Sequence, residues 1–475
     1  MKRCFRVLTL WFLTLMLSAP SVAEEQLLPE AVAESARTNF PKVVEALAKV
    51  AAAEGRATAA KGSFDLVFDA EGFNRTSGFY NGAAGSATIS QPLGTWGAEV
   101  FSGYKLSNGI FPIYEDINFT NTGGQAKVGV LFSLLKNRAI DDRRFSVRDA
   151  ELALRQQELE LLLTRVGVQQ RALAAYWKWV MAGRQLHVFE DLLELALSRE
   201  AGLERQVEKG ARARIFLTEN QQNIMRRRNL VVGARRDYEI AANELSFYYR
   251  DARGLPIHPT IEQVPVDEAM ESLKGLAALA SDGVQAALAA RPELATLRLA
   301  AERAQRSLEL KRNALQPKLD FKVERMRPFG TIAEGGTSRD SQDTIVGFTF
   351  EVPLQRRKAK GDVATEAAKL QALSAETRLF ESQIVVQIEN LLVRLDVAQE
   401  LLEIARSEVD LSDRMRRAEV TRFDSGASDF FLVNIREETA FNARVNYLKA
   451  ALELHLARLV YDAATVDLPR LGLGS

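Results

Sequence analysis

The feature that most restricts this chain is that its organisation is written twice. Val128-Gly129-Val130-Leu131-Phe132-Ser133-Leu134-Leu135 is echoed 218 positions later by Val346-Gly347-Phe348-Thr349-Phe350-Glu351-Val352-Pro353, and a basic stretch leading into a long helical pattern follows both copies. Lys209-Gly210-Ala211 recurs as Ser425-Gly426-Ala427 at an offset of 216, again between two long helical patterns. Upstream, Pro41-Lys42-Val43-Val44 opens a helix that runs into Phe64-Asp65-Leu66, and Pro292-Glu293-Leu294 opens one that runs into Leu319-Asp320-Phe321. Duplication on this scale uses one supersecondary unit twice and lets the copies bury each other's apolar faces. Each half reads helix, strand, loop, strand, long helix, Gly turn, long helix. The division is 24–255 for the first repeat, 256–290 for a linker opening on the stretch Pro256 to Pro265, 291–465 for the second repeat and 466–475 for a tail.

Period-two alternation marks the strands. Lys318-Leu319-Asp320-Phe321-Lys322-Val323-Glu324 alternates charged and apolar residues, and Val346, Phe348, Phe350, Val352 and Leu354 alternate with Gly347, Thr349, Glu351 and Pro353. Phe64, Leu66 and Phe68 oppose Asp65 and Asp69, and Val128, Val130, Phe132 and Leu134 alternate with Lys127, Gly129, Leu131 and Ser133. Segments with one greasy and one wet face suit an outer-membrane barrel, and equally a half-buried soluble sheet. Four strands per chain are too few to close a barrel, so transmembrane strands require several chains to pool them. The loop 72–124 is long, carries an alternating piece at Thr95 to Val100, and is expected outside the cell; its Phe73, Phe79, Tyr80, Trp96, Tyr104 and Tyr114 are candidates for an interfacial girdle or for packing within the loop.

Ile384, Ile388, Leu391, Leu395, Ala398, Leu402, Ala405 and Val409 fall at alternating spacings of four and three, a coiled-coil seam. Val397, Ile404 and Leu411 form a second stripe every seven residues, so this helix has neighbours on two sides. Leu159, Leu162, Val166, Leu173, Tyr176 and Val180 form the matching series in the first half, interrupted by Gln169. Helices from about 140 to 207 and from about 358 to 423 are each roughly 100 Å long, the depth of a periplasm rather than of a globular core.

Lys2, Arg3 and Arg6 precede the apolar run Val7 to Leu17 and the small residues Ser21-Val22-Ala23, which predicts a secretory signal at 1–23 that is cleaved and takes Cys4, the single cysteine, with it. No uncharged apolar run of 18 residues follows, so no membrane-crossing helix is expected. Lys+Arg and Asp+Glu both total 62, which argues against a nucleic-acid partner. His187, His258 and His455 are far apart and suit surface or packing roles, and no metal, cofactor or enzymatic motif emerges.

In the order Ala290-Arg291-Pro292-Glu293-Leu294, Leu315-Gln316-Pro317-Lys318-Leu319, Val352-Pro353-Leu354, Arg422-Phe423-Asp424-Ser425-Gly426-Ala427-Ser428 and Asn442 to Leu448, the chain resembles the TolC-like outer-membrane factors. That resemblance implies a mainly α fold with a transmembrane β-barrel portion: a homotrimer whose subunits each give four strands to a 12-stranded barrel in the outer membrane, above a periplasmic helical tunnel. It implies export without catalysis, alongside a periplasmic adaptor and an inner-membrane pump of the RND or ABC class, in efflux or type I secretion. Gly210, Ala211, Arg212, Gly426, Ala427 and Ser428 would then form the periplasmic tip that meets the adaptor. Some relatives carry acidic residues after the second glycine; here Leu432 and Ile435 stand there, leaving Asp429 and Glu437, with the basic Arg214, as candidate entrance charges. The alternative is an exported coiled-coil adaptor or structural protein with a small soluble sheet.

Overall fold

The computed structural model describes residues 26–112, 114, 118–265, 283–332 and 341–474. The expected signal segment 1–23 and residues 266–282 of the linker lie outside the described residues. The elements are α1 (Pro29–Asn39), α2 (Pro41–Lys61), β1 (Val67–Asn74), β2 (Ala83–Pro92), β3 (Glu99–Asn108), β4 (Gln125–Ser133), α3 (Asp142–Glu208) and α4 (Ile215–Ser246), then α5 (Gly283–Ala290), α6 (Pro292–Asn313), β5 (Lys318–Pro328), β6 (Asp343–Glu351), α7 (Arg357–Asp424) and α8 (Phe430–Thr465).

Local chemistry fixes where the helices start. A proline in the first turn opens α1, α2 and α6, where its missing N–H costs nothing. The Asp141 carboxylate accepts the Arg144 N–H at 2.9 Å to open α3. The 67-residue α3 and 68-residue α7 act as backbones for two layers of helices. On the sheet side, α2 lies beside α3, and α6 sits between α3 and α7; toward the far end the row runs α4, α3, α8, α7. The seam of α7 buries Ile384, Ile388, Leu391, Leu395, Ala398 and Ala405, with Leu402 and Val409 half-buried. Against it stand Leu294 of α6 and Leu454, Ala457 and Tyr461 of α8. Each buried Leu or Ile contributes about 1.5–3 kcal/mol of apolar transfer energy.

The first-half seam includes a polar member with a purpose. Gln169 is fully buried, and its Nε2 donates to the Ala33 carbonyl at 2.7 Å, while the Tyr176 hydroxyl donates to the Leu27 carbonyl at 2.9 Å. These two bonds pin α1 and the residues leading into it across α3. Arg184 holds the linker in the same way, its Nη2 donating to the Pro265 carbonyl at 2.8 Å.

The sheet departs from the expected four strands. Among the described residues it has six, in the order β1-β2-β3-β4-β5-β6, with every neighbouring pair antiparallel. The extra pair, β2 and β3, lies inside the stretch 72–124 read as an extracellular loop. The turn at Leu93 to Ala98 is therefore at the helical end of the sheet: Ser133 N–H donates to the Trp96 carbonyl at 3.0 Å, and Arg143 at the start of α3 pairs with Glu99 of β3 at 3.5 Å.

Directly paired residues of an antiparallel ladder share a face. The registers Phe68↔Ile89, Ile89↔Ser102, Ser102↔Val128, Val100↔Val130, Val130↔Val323 and Val323↔Val346 carry one face across all six strands, joined by Phe132↔Phe321↔Phe348. That face is apolar and largely exposed, except at the end away from the helices, where the pairs Val128↔Arg325 and Ala126↔Arg327 bring two exposed arginines of β5 onto it. The opposite face follows Asp69↔Thr88↔Gly103↔Lys127 and Glu71↔Ser86↔Lys105, and continues through Lys322, Glu324 and Asp320. One greasy and one charged side is the division a barrel wall between lipid and a watery lumen requires.

The aromatic candidates for a girdle separate on this basis. Tyr104 lies on the apolar face, since it pairs with Ala87 and Ala126. Phe73 lies on the polar face, paired with Ala84, and meets Phe111 edge-on at 6.2 Å. Phe79 and Tyr80 pack on each other at 5.1 Å within their loop, and Trp96 is exposed in the turn at the helical end.

Candidate functional site at the helical tips

The tips of the two hairpins are built alike. Gly210 (φ 69°) follows the last turn of α3, and Gly426 (φ 74°) follows that of α7. Gly210 N–H donates to the Val207 carbonyl at 3.0 Å and Ala211 N–H to Gln206 at 2.9 Å; Gly426 N–H donates to Phe423 at 3.0 Å and Ala427 N–H to Arg422 at 2.8 Å. Both ends are Schellman motifs, whose left-handed residue favours glycine. A Cβ at either glycine would meet nothing within 4 Å, so backbone conformation alone, not crowding, selects glycine there.

The return helices start differently. Asp429 caps α8 by accepting the Leu432 N–H at 2.8 Å, whereas Arg214 precedes α4 without a side-chain cap. Asp429, Arg214, Ala211 and Ala427 are exposed, and Arg212 and Ser428 are half-buried. Arg212 lies over the Phe423 ring at 4.7 Å and the Phe216 ring at 5.5 Å, so the first tip's guanidinium rests on an aromatic ring of the second hairpin. Phe430, almost fully buried, joins the cluster at 6.1 Å from Phe423 and 6.5 Å from Phe216. The Ser428 hydroxyl donates to the buried carboxylate of Glu419.

Glu437, the third candidate for an entrance charge, points inward. It is 0% exposed, two turns into α8, and its carboxylate accepts from Arg199 of α3 (Nη1 at 2.8 Å) and from Arg227 of α4 (Nη2 at 3.1 Å). Arg227, 3% exposed, also donates to the Leu192 carbonyl at 2.7 Å. Burial lowers the Arg227 pKa, and the neighbouring Glu437 carboxylate opposes that shift. The Glu437 charge is thereby spent on tying α8 to both helices of the first hairpin. Further from the tip, Arg444 bonds Asp413 at 2.9 Å across α8 and α7; desolvation raises the Asp413 pKa, but the Arg444 and Arg416 contacts outweigh it and the net shift is downward.

Sequence reasoning missed Arg199, Arg227 and Glu419, which read as solvated charges on amphipathic helices. It also missed the exposed apolar Ile215 and Phe431 beside the tip turns. Their signal was available: each stands at the first or second position of a return helix, where a soluble surface has no use for a large apolar side chain.

Of the histidines, His187 and His258 are exposed, and His455 is buried with its ring stacked on Trp177 at 3.6 Å. Among the described residues, no group of three or more His, Cys, Asp or Glu side chains is placed to hold a metal ion, and no helix is long and apolar enough to cross a membrane.

Residues 283–460 match the family model described as outer membrane efflux protein. Solved structures match nearly the whole chain. The open state of the Neisseria gonorrhoeae MtrE outer membrane channel is 13% identical with a TM-score of 0.61, covering 92% of this chain and 88% of that one. The Campylobacter jejuni CmeC outer membrane channel is 13% identical with a TM-score of 0.59, covering 92% and 85%. The Vibrio cholerae outer membrane protein VceC is 15% identical with a TM-score of 0.58, covering 92% and 95%. A comparison with curated protein sequences gives no match. Over residues 283–460 the chain is thus similar to the outer membrane efflux proteins, and along nearly its whole length it has the fold of these outer-membrane channel structures.

Proposed function

We propose that this chain is the outer-membrane channel of a tripartite efflux pump or type I secretion system, passing solutes or proteins from an inner-membrane pump to the exterior. The observation that carries the reading is that both layers end in unsatisfied edges on opposite sides of the same chain. The sheet ends in β1 and β6, and the helical row ends in α4 and α7. On α4, Met225, Val232 and Ile240, with Phe247 just past its end, are exposed at spacings of seven or eight; on α7, Val397, Ile404 and Leu411 are exposed at spacings of seven. Two different edges on one chain make a head-to-tail contact, which closes into a ring when the rotation allows. An open strand edge is not tolerated in lipid, so the sheet demands the same closure. Three copies of the chain form that ring.

In this arrangement the barrel sits in the outer membrane and the helices reach roughly 100 Å into the periplasm. Gly210, Ala211, Arg212, Gly426, Ala427 and Ser428 meet a periplasmic adaptor, which recruits an RND or ABC pump. Exposed Asp429 and Arg214 are the charges nearest the entrance. Conduction needs no catalytic step and no cofactor. The test is extraction from outer-membrane fractions: a detergent-solubilised species with the mass of three chains, conducting ions across a planar bilayer, is expected. Val397→Glu together with Ile404→Glu should reduce it to monomers. A water-soluble periplasmic monomer without conductance would refute the reading.

A further inference from the structure

Resting on the channel reading, we propose that the β2–β3 hairpin supplies a fifth and a sixth membrane-spanning strand in every subunit, so that three copies close an 18-stranded barrel instead of a 12-stranded one. The hairpin is no flap on an existing wall. β2 pairs with β1 from Val67↔Ser90 to Asn74↔Ala83, and β3 pairs with β4 from Glu99↔Leu131 to Lys105↔Gln125. β1 and β4 do not pair with each other in this sheet; the hairpin stands between them and fills both of their facing edges. β2 and β3 are ten residues each, and a tilted strand needs about 9–11 to cross the hydrocarbon core.

The faces agree with this placement. Ala87 and Ile89 of β2 and Val100, Tyr104 and Leu106 of β3 continue the apolar band between Phe68 and Val128, and no charged residue interrupts it from Ala83 to Gln91 or from Val100 to Leu106 on that side. Ser86, Thr88, Ser90 and Lys105 continue the polar face. The hairpin also spans the full height of the wall: its turn is bonded to Ser133 at the helical end, and its outer end meets Thr120, whose hydroxyl accepts the Ser107 N–H at 3.0 Å.

Barrel diameter grows about linearly with strand number, so six more strands widen the outlet about 1.5-fold and its cross-section about 2.3-fold. Part of the added space is taken from within, because Phe111 and Phe119 pack on Ala84 on the polar face. The membrane barrel is then not the step that limits solute size, and bulky or folded cargo is accommodated there.

Single cysteines test the placement in a chain whose own cysteine is Cys4. Ile89→Cys and Val100→Cys probe the hairpin's apolar side, Thr88→Cys its polar side, and Phe348→Cys on β6 is the reference. Each is labelled with bimane and placed in phosphatidylcholine vesicles carrying brominated acyl chains. We expect Ile89→Cys and Val100→Cys to lose fluorescence to the extent that Phe348→Cys does, and Thr88→Cys to keep its fluorescence when labelled and, in a separate unlabelled sample, to react with an impermeant maleimide. Quenching at Phe348→Cys without quenching at Ile89→Cys and Val100→Cys overturns the six-strand wall alone. Absence of quenching at all three overturns the channel reading beneath it. In the unmodified protein, electron cryomicroscopy should count 18 strands; a count of 12 overturns the proposal.

Discussion

Glu437→Gln is the perturbation that most sharply tests how the two hairpins are held together. Glu437 bonds Arg199 of α3 and Arg227 of α4 from within α8, fully out of water. Removing one partner from a buried pair costs about 3–5 kcal/mol, because the other charge is left uncompensated. The geometry places this case at the lower end. Arg199 is 26% exposed on its side chain and can turn to solvent, and Arg227 keeps the Leu192 carbonyl. A loss of about 3 kcal/mol is a hundredfold increase in local opening. Hydrogen exchange of the α4 and α8 amides around Arg227 and Glu437 reads that opening directly, in assembled protein. The internal control is Glu438→Gln, which breaks an exposed pair with Arg226 at 2.8 Å, worth about 0–1 kcal/mol and hence about fivefold or less. If Glu437→Gln speeds exchange no more than Glu438→Gln does, the buried pair does not clamp the hairpins. If contacts between the tip helices hold the proposed channel's entrance shut, the same variant should also conduct more readily.

Gly210→Ala and Gly426→Ala should each destabilise the tips by about 1–2 kcal/mol through the left-handed backbone alone, with Asn tolerated better; thermal dissociation of the trimer measures it, and equal effects of Ala and Asn would refute a conformational cause. Asp429→Ala should cost about 1 kcal/mol by removing the α8 cap; unchanged conductance and ion preference in that variant would eliminate Asp429 as an entrance ligand. Burial, with Arg184 and Arg458 nearby, pushes the His455 pKa down to about 4, so between pH 6.5 and 4 the unfolded chain takes up a proton that the folded one refuses and stability falls as pH falls. Burial pushes Asp462 up to about 6, which has the opposite sign over nearly the same range. Relative to wild type, His455→Gln should therefore gain about 3 kcal/mol on acidification from pH 6.5 to 4, read as a rise in melting temperature; no relative gain would show that His455 is protonated in the fold.

The helices were legible because their signal is local and repeated. The α7 seam from Ile384 to Ala405 names its own buried face, and the glycines at 210 and 426 mark reversals that no other residue makes as cheaply. The tip chemistry was not legible, because it is made by residues distant in sequence. Glu437 looks like any helical glutamate until α3 and α4 bring Arg199 and Arg227 to it, and Gln169 looks like a break in a seam until α1 brings the Ala33 carbonyl. β2 escaped for another reason. Its apolar side is Gly85, Ala87 and Ile89, too small to stand out against Ser86, Thr88 and Ser90, whereas the alternation of β5 sets Leu319, Phe321 and Val323 against charges.

The place where the extra strands enter explains why the helical layers are untouched by them. Each half connects sheet to helices at two points, α2 to β1 and β4 to α3 in the first, α6 to β5 and β6 to α7 in the second. A hairpin placed between β1 and β4 adds no such junction. A single extra strand there would reverse β4 and carry α3 to the wrong side of the membrane, so insertions at this point come in pairs, the same parity that keeps bacterial barrels even-numbered. The ladder tolerates the pair because β2 offers β1 the antiparallel partner that β4 would otherwise supply, and β3 does the same for β4. On the proposed channel reading, barrel circumference can therefore change without altering the number of helices that reach the tip, so outlet width and entrance gating would be separable in this chain.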